Sequence, residues 1–251
     1  MKESYRGICN ICENEQVFHK NHRSLREGYA CDVCRSSLRY RGQAEAVIEL
    51  FSTEASRTLG ELCQEPAFQN TSIYEPGTIG PFRKYFVFFD NYIQSFYWDD
   101  VSPGDYRAGV QCQDLEQLTY KDKRFDLVIT SDILEHVRHP WQSFSEIFRV
   151  LRPGGHHIFS IPVTHPIPHK SVYRVDTRSD EDVYLLERRY HSAPSVDGKS
   201  RGKSLVYTDF GQDVVDHLDR IGFETKLWVP KENGTDIHRL VTFVSQKPKS
   251  G

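Results

Sequence analysis

The run Phe125-Asp-Leu-Val-Ile-Thr130, the stretch from Trp141 to Leu151 and the run from His157 to Ile161 constrain this chain more than any other part of it. The first is short, apolar and β-branched at its centre, as a buried strand is. The second places Phe144, Ile147, Phe148 and Leu151 on one face of an amphipathic helix. Arg152-Pro-Gly-Gly155 is expected to stop that helix, a glycine supplying positive φ after its last turn. The third run is a second strand, ended by Pro162. Strand, helix and strand in this order make a βαβ unit, and such units build parallel sheets covered by helices.

The flanking chain extends the pattern. A strand and turn begin at Ile73-Tyr-Glu-Pro-Gly77, followed by a helix around Pro81–Phe89, strands near Tyr92–Tyr97 and Gly109–Gln113, and a loop at Asp99–Asp105 between them. After a polar insertion over 164–204 come a helix, Gly211–Gly222, and two strands, Glu224–Val229 and Leu240–Gln246, suited to an antiparallel edge. The 251 residues suffice for one large α/β domain and a small appendage. The formal net charge of −3 argues against a broad basic face for nucleic acid but leaves room for a local patch. No apolar run approaches the roughly 18 residues of a membrane helix. The opening MKESYRGICN lacks the layout of a signal peptide. A soluble, cytoplasmic chain with no membrane partner is expected.

The appendage is written in cysteine. Cys9, Cys12, Cys31 and Cys34 read C-x2-C-x18-C-x2-C, the spacing of a zinc ribbon. Each knuckle aims two thiolates at one point, and two knuckles complete a tetrahedron around Zn²⁺. Four thiolates leave no open position, so the metal is expected to fold the module and not to do chemistry. Disulfides or a redox pair are the alternative. His19 and His22, between the knuckles, are expected in exposed loop, and Cys63 and Cys112 are expected to be structural. Ala44, Val47, Ile48 and Phe51 follow at helical spacing. The expected organisation is a zinc module over 1–45, a linking helix to about 55, and a main domain over 56–251 carrying a lid or substrate wall at 163–209. Lys20, Arg23, Arg26, Arg35, Arg39 and Arg41 make the module locally basic, either as a solvated face or as a patch for RNA or phosphate.

Residues 125–162, FDLVITSDILEHVRHPWQSFSEIFRVLRPGGHHIFSIP, resemble class I S-adenosylmethionine-dependent methyltransferases of type 11, with Ser131, Asp132, Glu135 and His136 in the loop after the fourth strand. The wider chain, ribbon included, is similar to bacterial methyltransferases associated with sugars and natural products. The resemblance implies a doubly wound, mostly parallel, seven-stranded Rossmann-like sheet with S-adenosylmethionine across the carboxyl ends of its strands. It places Glu75 near the cofactor's ammonium, Gly77 where backbone approaches closely, and Gly80 at the turn into the next helix, although Pro76 and Pro81 depart from the usual glycine-dense loop. Ser131 and Asp132 join the cofactor set. Asp90, Asp99 and Asp100 compete for the ribose, with Asp99 taken forward and Phe96 standing at the strand end itself. Asp114 is assigned to the adenine amino group, with Leu115 donating its backbone N–H; capping a helix over 115–120 is the other reading of Asp114.

Methyl transfer depends on positioning and on exclusion of water, and a hydroxyl acceptor needs a base. His136 and His191 are the candidate catalytic residues. His165, His169, Tyr190, Tyr207 and Asp209 are further members of the wall, with Arg188 or Arg189 suited to a phosphate or carboxylate. The expected function is methyl transfer to a hydroxyl or amine of a small molecule, such as a sugar, glycoconjugate or natural product. An RNA methyltransferase presenting substrate on its zinc module, or a non-catalytic binding protein on the same fold, are the alternatives.

Overall fold

The computed structural model describes residues 2–194, 201–230 and 234–249. The antiparallel pair β1 (Ser4–Ile8) and β2 (Glu15–His19) opens the chain and is followed by α1 (Leu38–Phe51) and the one-turn helices α2 (Leu59–Leu62) and α3 (Pro66–Gln69). The central sheet then begins with β3 (Ile73–Pro76), a one-turn α4 (Arg83–Phe86), β4 (Tyr92–Phe96), β5 (Tyr106–Arg107), β6 (Val110–Cys112) and β7 (Phe125–Ser131). Helix α5 (Pro140–Val150) and strand β8 (Leu151–Ser160) complete the βαβ unit. Short strands β9 (Val172–Tyr173), β10 (Val175–Asp176), β11 (Val183–Tyr184), β12 (Tyr190–Pro194), β13 (Arg201–Leu205) and β14 (Thr208–Asp209) form small antiparallel pairs, after which come α6 (Asp213–Ile221), β15 (Glu224–Trp228) and β16 (Thr242–Gln246).

Among the described residues the central sheet has eight strands in the order β15-β16-β8-β7-β3-β4-β6-β5. Strands β3, β4, β6, β7 and β8 run parallel, and β16 and β15 close one edge antiparallel, as the terminal hairpin pattern predicts. The eighth strand, beyond the seven expected, is the two-residue β5, which folds back on β6.

Alternation along the strands explains the layers. Ile73, Leu127, Ile129, Ile158 and Val244 face one core with α1; Tyr74, Phe125, Val128, Phe159 and Phe243 face the other with Phe144, Ile147 and Val150 of α5 and Val214 and Leu218 of α6. Phe144 is fully buried, and truncating such a side chain to alanine costs about 3–5 kcal/mol. Cys9, Ile11, Phe18, Tyr29 and Cys31 belong to the first core, so the cysteine module packs on the sheet face. Gly42 lets α1 approach β16: a Cβ there would meet Leu240 Cδ2 and Thr242 Oγ1 at 2.9 Å.

Two local expectations are corrected. Helix α5 ends at Val150, and Arg152-Pro-Gly-Gly155 lies inside β8, where the register jumps from Phe125↔Leu151 to Leu127↔His156. Gly154 does take positive φ, +84°, but to form this bulge and not a helix cap. The helix expected over 81–89 shrinks to Arg83–Phe86, ending where the Phe89 N–H donates to Phe86 O at 2.9 Å instead of to the carbonyl four residues back; Phe82, Phe86 and Phe89 still pack inward on one another and on Phe68.

Candidate active site

The chain leaves β3 toward β4 and β6, then returns to the other side of β3 to form β7 and β8. The sheet order therefore reverses between β3 and β7, and in open α/β sheets ligands bind outside the carboxyl ends of the strands at such a reversal. The residues that follow β3 and β7 are Gly77–Gly80 and Asp132–His136.

Glu75 sits next to the end of β3, 6% exposed, and accepts a hydrogen bond from Tyr92 Oη to Oε2 at 2.6 Å. Burial pushes its carboxyl group up to about 7. Gly77 holds φ +105°, donates its N–H to Ser95 O at 2.8 Å and accepts from Gln94 Nε2 at 3.0 Å. A Cβ on Gly77 would meet nothing closer than Ile133 Cδ1 at 3.9 Å, so the backbone there is bare. At Gly80 a Cβ would lie 3.1 Å from Glu75 Oε1, which ties the turn to the buried carboxyl group.

The neighbouring strand ends differ. Strand β4 ends on Phe96, whose ring packs on Trp98 at 4.9 Å, and no acid stands at its carboxyl end. Asp99 follows in an exposed turn, Asp100 pairs with Arg107, and Asp90 precedes β4 at the opposite edge of the sheet. After β6, Asp114 Oδ1 accepts the N–H of Glu116 at 2.8 Å, and burial raises its carboxyl group above the usual range. Leu115 beside it is buried, and residues 115–116 form a turn, so Asp114 caps no helix.

At the end of β7 the cysteine module forms a wall. Ser131 Oγ donates to Gln43 Oε1 at 2.7 Å, and Gln43 Nε2 donates to Thr130 O at 2.9 Å. Asp132, at φ +55°, accepts from Ser160 Oγ at 2.8 Å and pairs with Arg26 and with Arg39, the latter at 3.2 Å. Its carboxylate, expected to face the cofactor, is thus engaged by protein groups. Arg26, Arg39 and Gln43 were not singled out for this site; nothing in their local sequence marks a contact so far along the chain.

The loop beyond Asp132 gathers a second group. Glu135 is 1% exposed, and neither of its carboxyl oxygens has a hydrogen-bond partner among the described residues. His136 Nε2 lies 3.6 Å and His191 Nδ1 3.5 Å from Glu135 Oε1. The two rings meet edge to face at 5.0 Å. His136 Nδ1 lies 2.7 Å from Leu205 O, and Tyr207 N–H donates to Glu135 O at 2.8 Å. The wall expected over 163–209 therefore packs on this loop, its stretch 195–200 lying outside the described residues. Elsewhere in it, Arg174 and Arg189 both pair with Asp209, and His169 contacts Gln212.

The cysteine cluster is separate from both groups. All four thiols are free, with Cys9 and Cys34 sulfurs 3.7 Å apart and Cys12 and Cys31 sulfurs 3.5 Å apart. Disulfide sulfurs lie at about 2.05 Å. Four sulfurs at about 2.3 Å from a tetrahedral Zn²⁺ lie roughly 3.8 Å from one another, so the set fits the ion. His19 and His22 are exposed and take no part.

A family model described as a methyltransferase domain matches residues 97–159, which takes in β6, β7, α5 and nearly all of β8 but stops short of β3 and its loop. That segment lies in a sheet with the parallel order and reversal just described. Over that segment the chain is similar to a methyltransferase domain. Curated relatives of this chain include a ubiquinone biosynthesis O-methyltransferase of Coxiella burnetii, 40% identical over 50 residues, or 20% of this chain and 21% of that one. A malonyl-[acyl-carrier protein] O-methyltransferase of Marinomonas is 30% identical over 76 residues, 30% of this chain and 28% of its own. The chain thus spans 21% and 28% of the length of these relatives. A solved S-adenosylmethionine-dependent methyltransferase from Mesorhizobium loti superposes with a TM-score of 0.42 at 18% identity, over 70% of this chain and 89% of that one.

Proposed function

We propose that this methyltransferase moves a methyl group from S-adenosylmethionine to a hydroxyl or amine of a small molecule, a sugar, glycoconjugate or natural product being the acceptor class favoured by the sequence. The observation that carries the reading is the bare, positively twisted Gly77 backbone beside a buried Glu75 at the sheet reversal, in a chain whose next segment matches the methyltransferase domain. S-adenosylmethionine, when bound, supplies an electrophilic methyl carbon on a sulfonium.

The chain's own residues divide the remaining work. Glu75 meets the ammonium, whose charge favours the ionised carboxylate over the buried acid. Gly77 and Gly80 let the backbone come close. Asp114 and the Leu115 N–H address the adenine edge, Asp99 reaches the ribose from its turn, and Ser131 borders the cofactor. Asp132 acts through the module, holding Arg26 and Arg39 and closing one side of the crevice. A hydroxyl acceptor surrenders a proton, and Glu135, His136 and His191 form the group placed to manage it. The cysteine set, with Zn²⁺, is a folding element over 1–45 that braces the domain over 56–251.

The RNA reading loses ground on one observation. Of the module's cations, Lys20 pairs with Asp236, Arg26 and Arg39 with Asp132, and Arg41 donates to Tyr5 Oη and Tyr29 O. Arg6 pairs with Glu15, which leaves Lys2, Arg23 and Arg35 exposed, too few for a phosphate-tracking face.

Calorimetric titration with S-adenosylhomocysteine tests the reading. One site per chain is expected; no heat at millimolar ligand would remove it.

A further inference from the structure

We propose that Glu135, His136 and His191 form a divalent-cation site, distinct from the four-cysteine cluster, where the loop that leaves the carboxyl edge of the sheet meets strand β12. One oxygen or ring nitrogen from each residue lies within 4.8 Å of the others. The two nitrogens stand 3.6 and 3.5 Å from the same Glu135 oxygen. Ligand atoms about 2.1 Å from a shared tetrahedral ion are roughly 3.4 Å apart, so small side-chain movements would close the triad on a cation.

Three further observations favour an ion over a mere polar cluster. Glu135 is 1% exposed, yet neither carboxyl oxygen has a hydrogen-bond partner among the described residues. A buried polar group without partners is costly, and a cation would satisfy it. Leu205 O can only accept, so the Nδ1 of His136 beside it at 2.7 Å donates to it, which leaves Nε2, 3.6 Å from Glu135 Oε1, as the ring nitrogen available to an ion. A backbone carbonyl holding one ring nitrogen while the other binds is the usual outer support of a metal-bound histidine. Finally, the site opens on one side: the His136 and His191 side chains keep 17% and 30% exposure. Two imidazoles and one carboxylate on one side of an ion leave the opposite positions free.

Borderline first-row ions such as Zn²⁺, Co²⁺ or Fe²⁺ suit these ligands better than Ca²⁺ or Mg²⁺, which favour oxygen. The free positions are where an acceptor oxygen would be held, and the ion would acidify a hydroxyl there. That last assignment rests on the methyl-transfer reading; ion binding does not.

The test is a titration of the full chain, already carrying one zinc, with cobalt(II) chloride, followed by visible absorption. One further Co²⁺ per chain is expected, with weak d–d bands and no thiolate charge-transfer band. Glu135→Gln and His191→Ala should each weaken binding by about tenfold or more, with Cys31 untouched. His191 lies on a partly exposed hairpin, so its variant is expected to melt as the parent does and keeps the test independent of folding. No band at millimolar Co²⁺, or a band unchanged in both variants, would overturn the proposal. S-adenosylhomocysteine binding in the same samples separates the two readings. Cobalt without S-adenosylhomocysteine removes methyl transfer and leaves the ion site; the reverse removes the ion site alone.

Discussion

Arg39 of α1 reaches Asp132 at the end of β7, Nε to Oδ2 at 3.2 Å, while its guanidinium lies 4.2 Å over the Tyr40 ring. Asp132 holds the left-handed φ of +55° that non-glycine residues adopt sparingly, and its side chain is fixed from the other side by Ser160. The cysteine module and the carboxyl edge of the sheet are therefore tied together at Asp132.

Breaking that tie should be felt at both ends. Arg39→Met is expected to cost about 2 kcal/mol in denaturant unfolding, since it loses both the ion pair with Asp132 and the charged hydrogen bond that Nε gives Glu27 at 2.7 Å. S-adenosylhomocysteine affinity should fall with it. Asp132→Asn, which tolerates the same φ, should lose affinity with a smaller change in stability than Asp132→Ala.

Removing the metal should unfold more than the module. Cys9 and Cys31 share a core with Leu127, Ile129 and Ile158 of the central strands. Elemental analysis should give one zinc per chain bound by cysteine, and Cys31→Ser or chelation should lower the melting temperature of the whole chain in one transition. A metal-free protein with unchanged melting would refute the zinc assignment.

Glu75 predicts a pH signature. Its folded value of about 7 lies above its ordinary 4.5, so between these the folded state binds more protons than the unfolded state. Stability from this group is greatest at low pH and declines as pH rises toward 7. Glu75→Gln removes the decline, and its stability advantage should grow from pH 5 to 8, to at most about 3 kcal/mol. If the carboxylate meets the cofactor's ammonium, binding near pH 6 should also release a proton, visible as a buffer-dependent heat in calorimetry.

Gly77→Ala separates backbone from space. Its Cβ has room, but φ +105° disfavours it, by about 1–2 kcal/mol. Cofactor affinity should drop more than stability does, as read by titration and by unfolding.

The sequence displays what is periodic and local. The Phe125–Thr130 strand, the α5 face and the terminal hairpin were legible because burial there follows a regular spacing. The Arg152–Gly155 turn was misplaced because glycine in a bulge and glycine at a helix end look the same in one dimension. The aromatic run at Phe82–Phe89 keeps helical spacing throughout, so the sequence does not show that the backbone leaves the helix after one turn. The site was legible as residue types and not as partners. His136 and His191 could each be chosen as histidines, but their meeting over Glu135 depends on the fold of a polar insertion. The Arg26 and Arg39 contacts with Asp132 likewise depend on how α1 docks against the sheet.

The central claim is that the cofactor lies at the reversal between β3 and β7, and amide hydrogen exchange with and without S-adenosylhomocysteine tests it most directly. Slowed exchange over 75–80, 113–116 and 131–136 is predicted, with the outer strands β15 and β16 unchanged. Protection confined to other parts of the chain, with those three segments unaltered, would contradict it.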